Sequence, residues 1–171
     1  DPAKWMSELG ANSEVVKFVM PLITVLFLIA IGGLNRIKNS MEGGEGHMMA
    51  GFGFLLVILG SAAQLGEVAF TVATAEAVNT NMSVAPAMLA SGQAIGAIST
   101  AITAVGFGLI GVGILQQKNF TPLVAGLMII AGIFGTAMSL IDYESPLMMI
   151  GYLGMVASLV WLGASLLRQE D

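Results

Sequence analysis

The chain contains no cysteine. Disulfides, thiolate nucleophiles and thiolate-ligated iron–sulfur clusters are therefore excluded. It has a single histidine, His47, so no multi-histidine metal or haem site can be assembled. Charge is also scarce: charged residues make up 10% of the chain, against roughly a quarter in a soluble domain. No basic run exists, which argues against nucleic-acid binding and polybasic recruitment to lipid. There is no Walker loop, nucleophile elbow, metal-binding pair or nucleotide fingerprint. Gly43-Gly44-Glu45-Gly46 lacks the strand context and the lysine of a phosphate loop. No cofactor is implied. No nucleophile and base converge, so the expectation is a protein that is not an enzyme.

What the chain does have is long apolar runs. Apolar residues make up 56% of it. Five stretches stand out: Val15–Leu34, Met48–Phe70, Pro86–Leu115, Pro122–Ile141 and Pro146–Leu167. Each reaches or exceeds the ~20 residues that cross a ~30 Å hydrocarbon core. They show almost no polar face, unlike the helices of a soluble bundle. The connections, the longest near Asn35–His47 and Thr71–Ala85, are too short to fold alone. The fold expected is an all-α integral membrane protein with five spanning helices, forming one membrane domain over residues 1–171.

The basic residues indicate orientation. Arg36 and Lys38 follow the first span, Lys118 the third and Arg168 the fifth. The connections after the second and fourth carry Glu76, Asp142 and Glu144 and no cation. The positive-inside rule places the N-terminus outside and the C-terminus in the cytoplasm of a cell-membrane protein. Lys4 and Lys17 dissent, and Lys17 can snorkel from the start of its helix. A start at Asp1 fits removal of a signal peptide, and a trimmed chain equally. Asn81-Met82-Ser83 is a glycosylation sequon in an expected outer loop.

Asp1-Pro2 followed by Gly10 predicts a short helix, with Asp as N-cap, Pro at the first position and Gly at the left-handed end. Trp5, Met6 and Leu9 fall on one side, so it is expected to lie along the outer interface. Pro21 should bend the first span. Asn39–Gly46, rich in Gly, Glu, Ser and Asn, reads as a flexible loop. Thr121-Pro122 and Ser145-Pro146 each set a capping hydroxyl before a proline at a helix start, and Pro86 plays the same part near Ser83.

Small and polar residues repeat at alternating steps of three and four. In the second span they are Ala50, Gly53, Val57, Gly60, Gln64, Glu67, Thr71 and Thr74. In the third they are Gly92, Gly96, Ser99, Thr103, Gly106, Ile110 and Gly113. The fourth has Ala125, Met128, Gly132, Gly135, Ser139 and Asp142; the fifth has Gly151, Gly154, Ser158, Trp161 and Ser165. Lipid tails are as apolar as leucine, so helices associate in a bilayer through close backbone approach and interhelical hydrogen bonds, which small residues allow. The seven-residue period predicts a left-handed four-helix bundle of spans two to five. The first span lacks such a stripe and is expected at the periphery, its aliphatic faces toward lipid or another protein.

Gln64 and Glu67 are the most informative polar pair. They are three residues apart and share the packing face, and an intramembrane acid usually faces protein or water. Topology brings Gln93, Ser139, Asp142 and Tyr152 to the same outer third, so these six form a candidate polar pocket. In one reading Glu67 is a proton or cation site. In another it is protonated or pairs with Gln93 and pins two helices together, and in a third it is wet at a helix end. The twelve methionines look like core filler, with Met48-Met49 and Met148-Met149 the only pairs. His47 reads as an ordinary helix-start residue. The stretch Gly106–Leu109, Phe120–Leu123, Gly151–Gly154 and Trp161–Gly163, a helix–proline turn–helix pattern, resembles a broad group of small bacterial polytopic proteins with no established activity.

Three functions follow as expectations. The first is an accessory or scaffold subunit assembling with other membrane proteins, with itself or with membrane lipids. The second is a small proton- or cation-coupled transporter or channel using Glu67. The third is a lipid- or quinone-binding protein with an outer-side pocket.

Overall fold

The computed structural model describes residues 2–168. They form six helices: α1 (Pro2–Ala11), α2 (Ser13–Asn39), α3 (His47–Thr80), α4 (Ala85–Gln117), α5 (Pro122–Ile141) and α6 (Met148–Arg168). Among the described residues there is no strand. The helices α2 to α6 are long and apolar enough to cross a membrane.

Neighbouring helices run antiparallel, as the close approaches between them show. Gly46 faces Gly113, Gly53 faces Gly106, and Gly60 faces Ser99 and Thr103. A Cβ at Gly53 would stand 2.5 Å from the Gly106 carbonyl oxygen, and one at Gly106 would stand 2.5 Å from that of Gly53. Only hydrogen at both positions lets the α3 and α4 backbones meet so closely. On the next face of α4, Gly132 of α5 lies against Ala104 and Gly108, and Gly111 lies against Ala125 and Met128. Gly135 meets Met155, Gly151 meets Gly135 and Gly154 meets Ala131 where α5 packs on α6. The helix α4 packs along both α3 and α5; α2 lies mainly on α3 and meets α6 at few points.

Helix length differs from what the apolar runs suggest. At 1.5 Å per residue, the 34 residues of α3 extend about 50 Å, and the 20 residues of α5 extend about 30 Å. The second span does not end at Phe70. Its helix continues to Thr80, through most of what reads as a loop. The reason is a second, smaller core. Met6 and Leu9 of α1 pack with Ala75 and Ala77 of α3 and Ala85 and Leu89 of α4. Asn79 Nδ2 donates to the Gly10 carbonyl at 2.9 Å and to Ser13 Oγ at 3.3 Å. Gly10 is not the left-handed end of α1. It is helical and buried, and Val78 fills the space its side chain would take. The N-cap assigned to Asp1 lies outside the described residues.

Other expectations are corrected locally. Segment 40–46 is tied down, with Met41 fully buried. The Gly46 N–H donates to Gln117 Oε1, and Asn119 Nδ2 donates to Ser40 Oγ. Thr121 precedes α5 in extended conformation, but its hydroxyl makes no capping bond. Pro146 lies in the turn before α6, which begins at Met148. Lys17 has partners that the sequence alone does not name. It pairs with Glu76 at 2.7 Å and Glu14 at 3.1 Å, alongside the part of α3 that continues past the end of α5.

Candidate functional site

The site is built where α5 stops. Its chain turns at Asp142, and the next residue, Tyr143, reaches across to α3. There its hydroxyl donates to Glu67 Oε1 at 2.7 Å. Glu67 therefore lies level with the turn between α5 and α6, at the edge of the shortest span. Its carboxylate occupies the gap left by Gly96 on α4. Three more groups continue inward. Tyr143 and Tyr152 hydroxyls are 3.5 Å apart, Tyr152 and Thr100 hydroxyls 3.2 Å apart, and Gln64 Nε2 donates to Thr100 Oγ1 at 3.2 Å.

The order of donation follows from proton counting. Tyr143 spends its hydrogen on Glu67, so Tyr152 donates to Tyr143. Thr100 then donates to Tyr152, and Gln64 to Thr100. The chain of bonds runs one way, from an amide on α3, through α4, α6 and the α5–α6 turn, back to a carboxylate one helical turn away. Burial, together with the nearby Tyr152 and Glu67, pushes the Tyr143 phenol well above its ordinary value. It stays a donor at ordinary pH.

This chain separates two cavities. One, of about 330 Å³, lies beneath α1 and is lined by Pro2, Trp5, Glu67, Thr71, Leu89, Gly92, Gln93, Tyr143 and Glu144. The other, of about 280 Å³, lies between α2, α3, α4 and α6. Its walls include Phe27, Ile31, Leu34, Val57, Phe107, Met155 and Leu159, and its polar side holds Ser61, Gln64, Glu67, Thr100, Thr103 and Tyr152. Leu28 and Val156 are lining residues that are also exposed, so this cavity opens on the apolar flank of the bundle. Glu67 borders both cavities.

Of the six polar residues singled out in the sequence, the structure joins Gln64, Glu67 and Tyr152 in one network. Gln93 shares the α1-side cavity with Glu67, but the hydrogen-bond partner of Glu67 is Tyr143. Ser139 is buried on α5 with an unpartnered hydroxyl, and Asp142 is exposed at the end of α5; neither lines the two cavities. Tyr143 and Thr100 were missed. Tyr143 sits in a turn outside any helical stripe. Thr100 lies one position past Ser99, off the stripe that faces α3. Among the described residues no group of three or more His, Cys, Asp or Glu could hold a metal ion.

No protein-family model matches the chain, and neither curated proteins nor solved structures show a significant match to it. The resemblance of the last helices to small polytopic proteins thus gains no support.

Proposed function

We propose that the chain is a single, non-catalytic membrane domain of an accessory kind, which holds a lipid-phase amphiphile between its helices. One observation supports this above the others. The cavity between α2, α3, α4 and α6 opens toward the bilayer through apolar residues and closes on hydroxyl, amide and carboxyl groups. An amphiphile satisfies both ends at once, whereas a polar solute would have to enter through hydrocarbon. In this reading α3 to α6 form a left-handed four-helix bundle with α2 along its outside, as their stripe spacing requires. The N-terminus lies outside the cell membrane and the C-terminus in the cytoplasm. The two dissenting lysines fit, since Lys4 pairs with Glu8 and Lys17 with Glu76 and Glu14. Other membrane subunits, or a second copy, would dock on the apolar face of α2.

Native mass spectrometry of the protein released from mild detergent tests this. A bound amphiphile or a copurifying membrane protein is expected. Val156→Trp, at the exposed mouth, should remove the amphiphile while leaving the protein folded. A strictly monomeric protein that carries neither would overturn the reading.

A second reading, a proton- or cation-coupled transporter, is favoured by one feature: Glu67 borders both cavities. It requires ion flux in proteoliposomes that Glu67→Gln abolishes.

A further inference from the structure

Eight serines and threonines of these helices satisfy their hydroxyls along their own helix; the buried Ser61 and Ser139 have no partner, and of these two only Ser61 lines one of the two cavities. Thr24, Thr71, Thr74, Thr80, Ser99, Thr103, Thr136 and Ser158 each donate to a carbonyl three or four residues earlier. That is the usual way to satisfy a hydroxyl in an apolar helix. Ser61 does not. It is only 3% exposed, its Oγ has no partner, and it lines the cavity between α2, α3, α4 and α6. A buried hydroxyl without a partner is costly, and Ser61 lies in the wall of a cavity whose occupant can supply the missing partner.

The polarity of that occupant follows from the one-way chain of bonds. Thr100, Tyr152 and Tyr143 all spend their hydrogens within it. Two donors are left over at the cavity: the Ser61 hydroxyl and the second amide hydrogen of Gln64, one helical turn further along α3. No Lys or Arg lines the cavity, and its one ionisable group besides Tyr152 is Glu67, so an anionic headgroup would find no counter-charge. About 280 Å³ is well above the ~150 Å³ that accommodates benzene, enough for a substituted ring or a glycerol ester. Its tail would leave between α2 and α6.

We infer that this cavity binds an uncharged amphiphile through a carbonyl-type oxygen, which accepts hydrogen bonds from Ser61 and Gln64. The inference rests on the amphiphile-binding reading and adds the chemistry of the headgroup. A ring carbonyl of a quinone and an ester carbonyl of a neutral glyceride share that chemistry.

Binding to delipidated protein in detergent tests it with four ten-carbon probes: an alkyl benzoquinone, a monoacylglycerol, decylbenzene and decyl phosphate. At least one carbonyl probe should bind more tightly than decylbenzene and decyl phosphate, and which one it is identifies the source. Ser61→Ala should weaken that probe by about 3–10-fold and leave decylbenzene unchanged. Ser61→Thr, which restores a hydroxyl, should recover part of the loss. Removing an unpartnered hydroxyl should leave the Tm of the ligand-free protein unchanged or raised, so lost binding in Ser61→Ala is not lost folding. Decylbenzene binding as tightly as the carbonyl probes, tighter binding of decyl phosphate, or an indifferent Ser61→Ala would overturn the carbonyl inference while the amphiphile reading survives. If no probe binds, both fall.

Discussion

The Glu67 carboxylate occupies space that any side chain at position 96 would take. A Cβ on Gly96 would stand 2.5 Å from both the carboxyl carbon and Oε1. A carboxylate at the end of a flexible chain can move aside, so Gly96→Ala should break the Tyr143 bond before it forces the helices apart. Tyr143→Phe removes the same bond directly, at an expected cost of about 1 kcal/mol. If both substitutions act through that bond, the double variant should be no worse than the poorer single one, by Tm in detergent. Fully additive losses would show that Gly96 matters only for helix packing. Tyr143 also sets a pH dependence. Burial raises its pKa above the ordinary 10.0, so the folded state favours the neutral phenol. That stability is complete below pH 10.0 and is lost as pH rises toward the folded value. The parent protein should lose Tm above pH 10 more steeply than Tyr143→Phe, and equal slopes would show the phenol to be freely ionising.

At the scale of helices, glycine contacts rather than glycine counts decide which positions matter. Gly126 and Gly132 lie on the same helix, α5. A Cβ at Gly126 meets nothing within 4 Å, whereas one at Gly132 would stand 2.7 Å from the Ala104 carbonyl oxygen and the Gly108 Cα. Backbone cannot move aside as a side chain can. Gly132→Ala is expected to cost about 1–3 kcal/mol, and Gly126→Ala close to nothing, measured as Tm in the same detergent. Equal tolerance would remove close approach as the basis of packing between α4 and α5. The stripe containing Gly132 was legible in the sequence because its period matches a helix face; Gly126 falls outside that period. The extension of α3 was not legible. Its outer turns pair Ala75 and Ala77 with Met6 and Leu9, and such short apolar partners look like loop composition until α1 is seen lying on them. Tyr143 was hidden for a related reason: it gains its partner from a turn, where periodicity carries no information.

For the whole molecule, run length made the five spans legible, because a hydrocarbon slab imposes the same minimum on every crossing helix. The two cavities were not, since each is framed by helices far apart in sequence and by gaps that no single stripe encodes. Orientation rests on charge at the two ends. Arg36, Lys38, Lys118 and Arg168 gather at the end away from α1, while the lysines at the α1 end are paired with glutamates. The chain has no cysteine, which permits single-cysteine labelling with no background. Glu45, between α2 and α3, and Met82, between α3 and α4, are both exposed and lie at opposite ends. An impermeant maleimide added to intact cells should label Met82→Cys and leave Glu45→Cys unlabelled until the membrane is opened. The reverse pattern would invert the protein in the membrane and place the Glu67 end in the cytoplasm. Labelling of both from outside would mean that α3 does not cross the bilayer, and a cavity walled by α3 could then no longer be filled from the hydrocarbon.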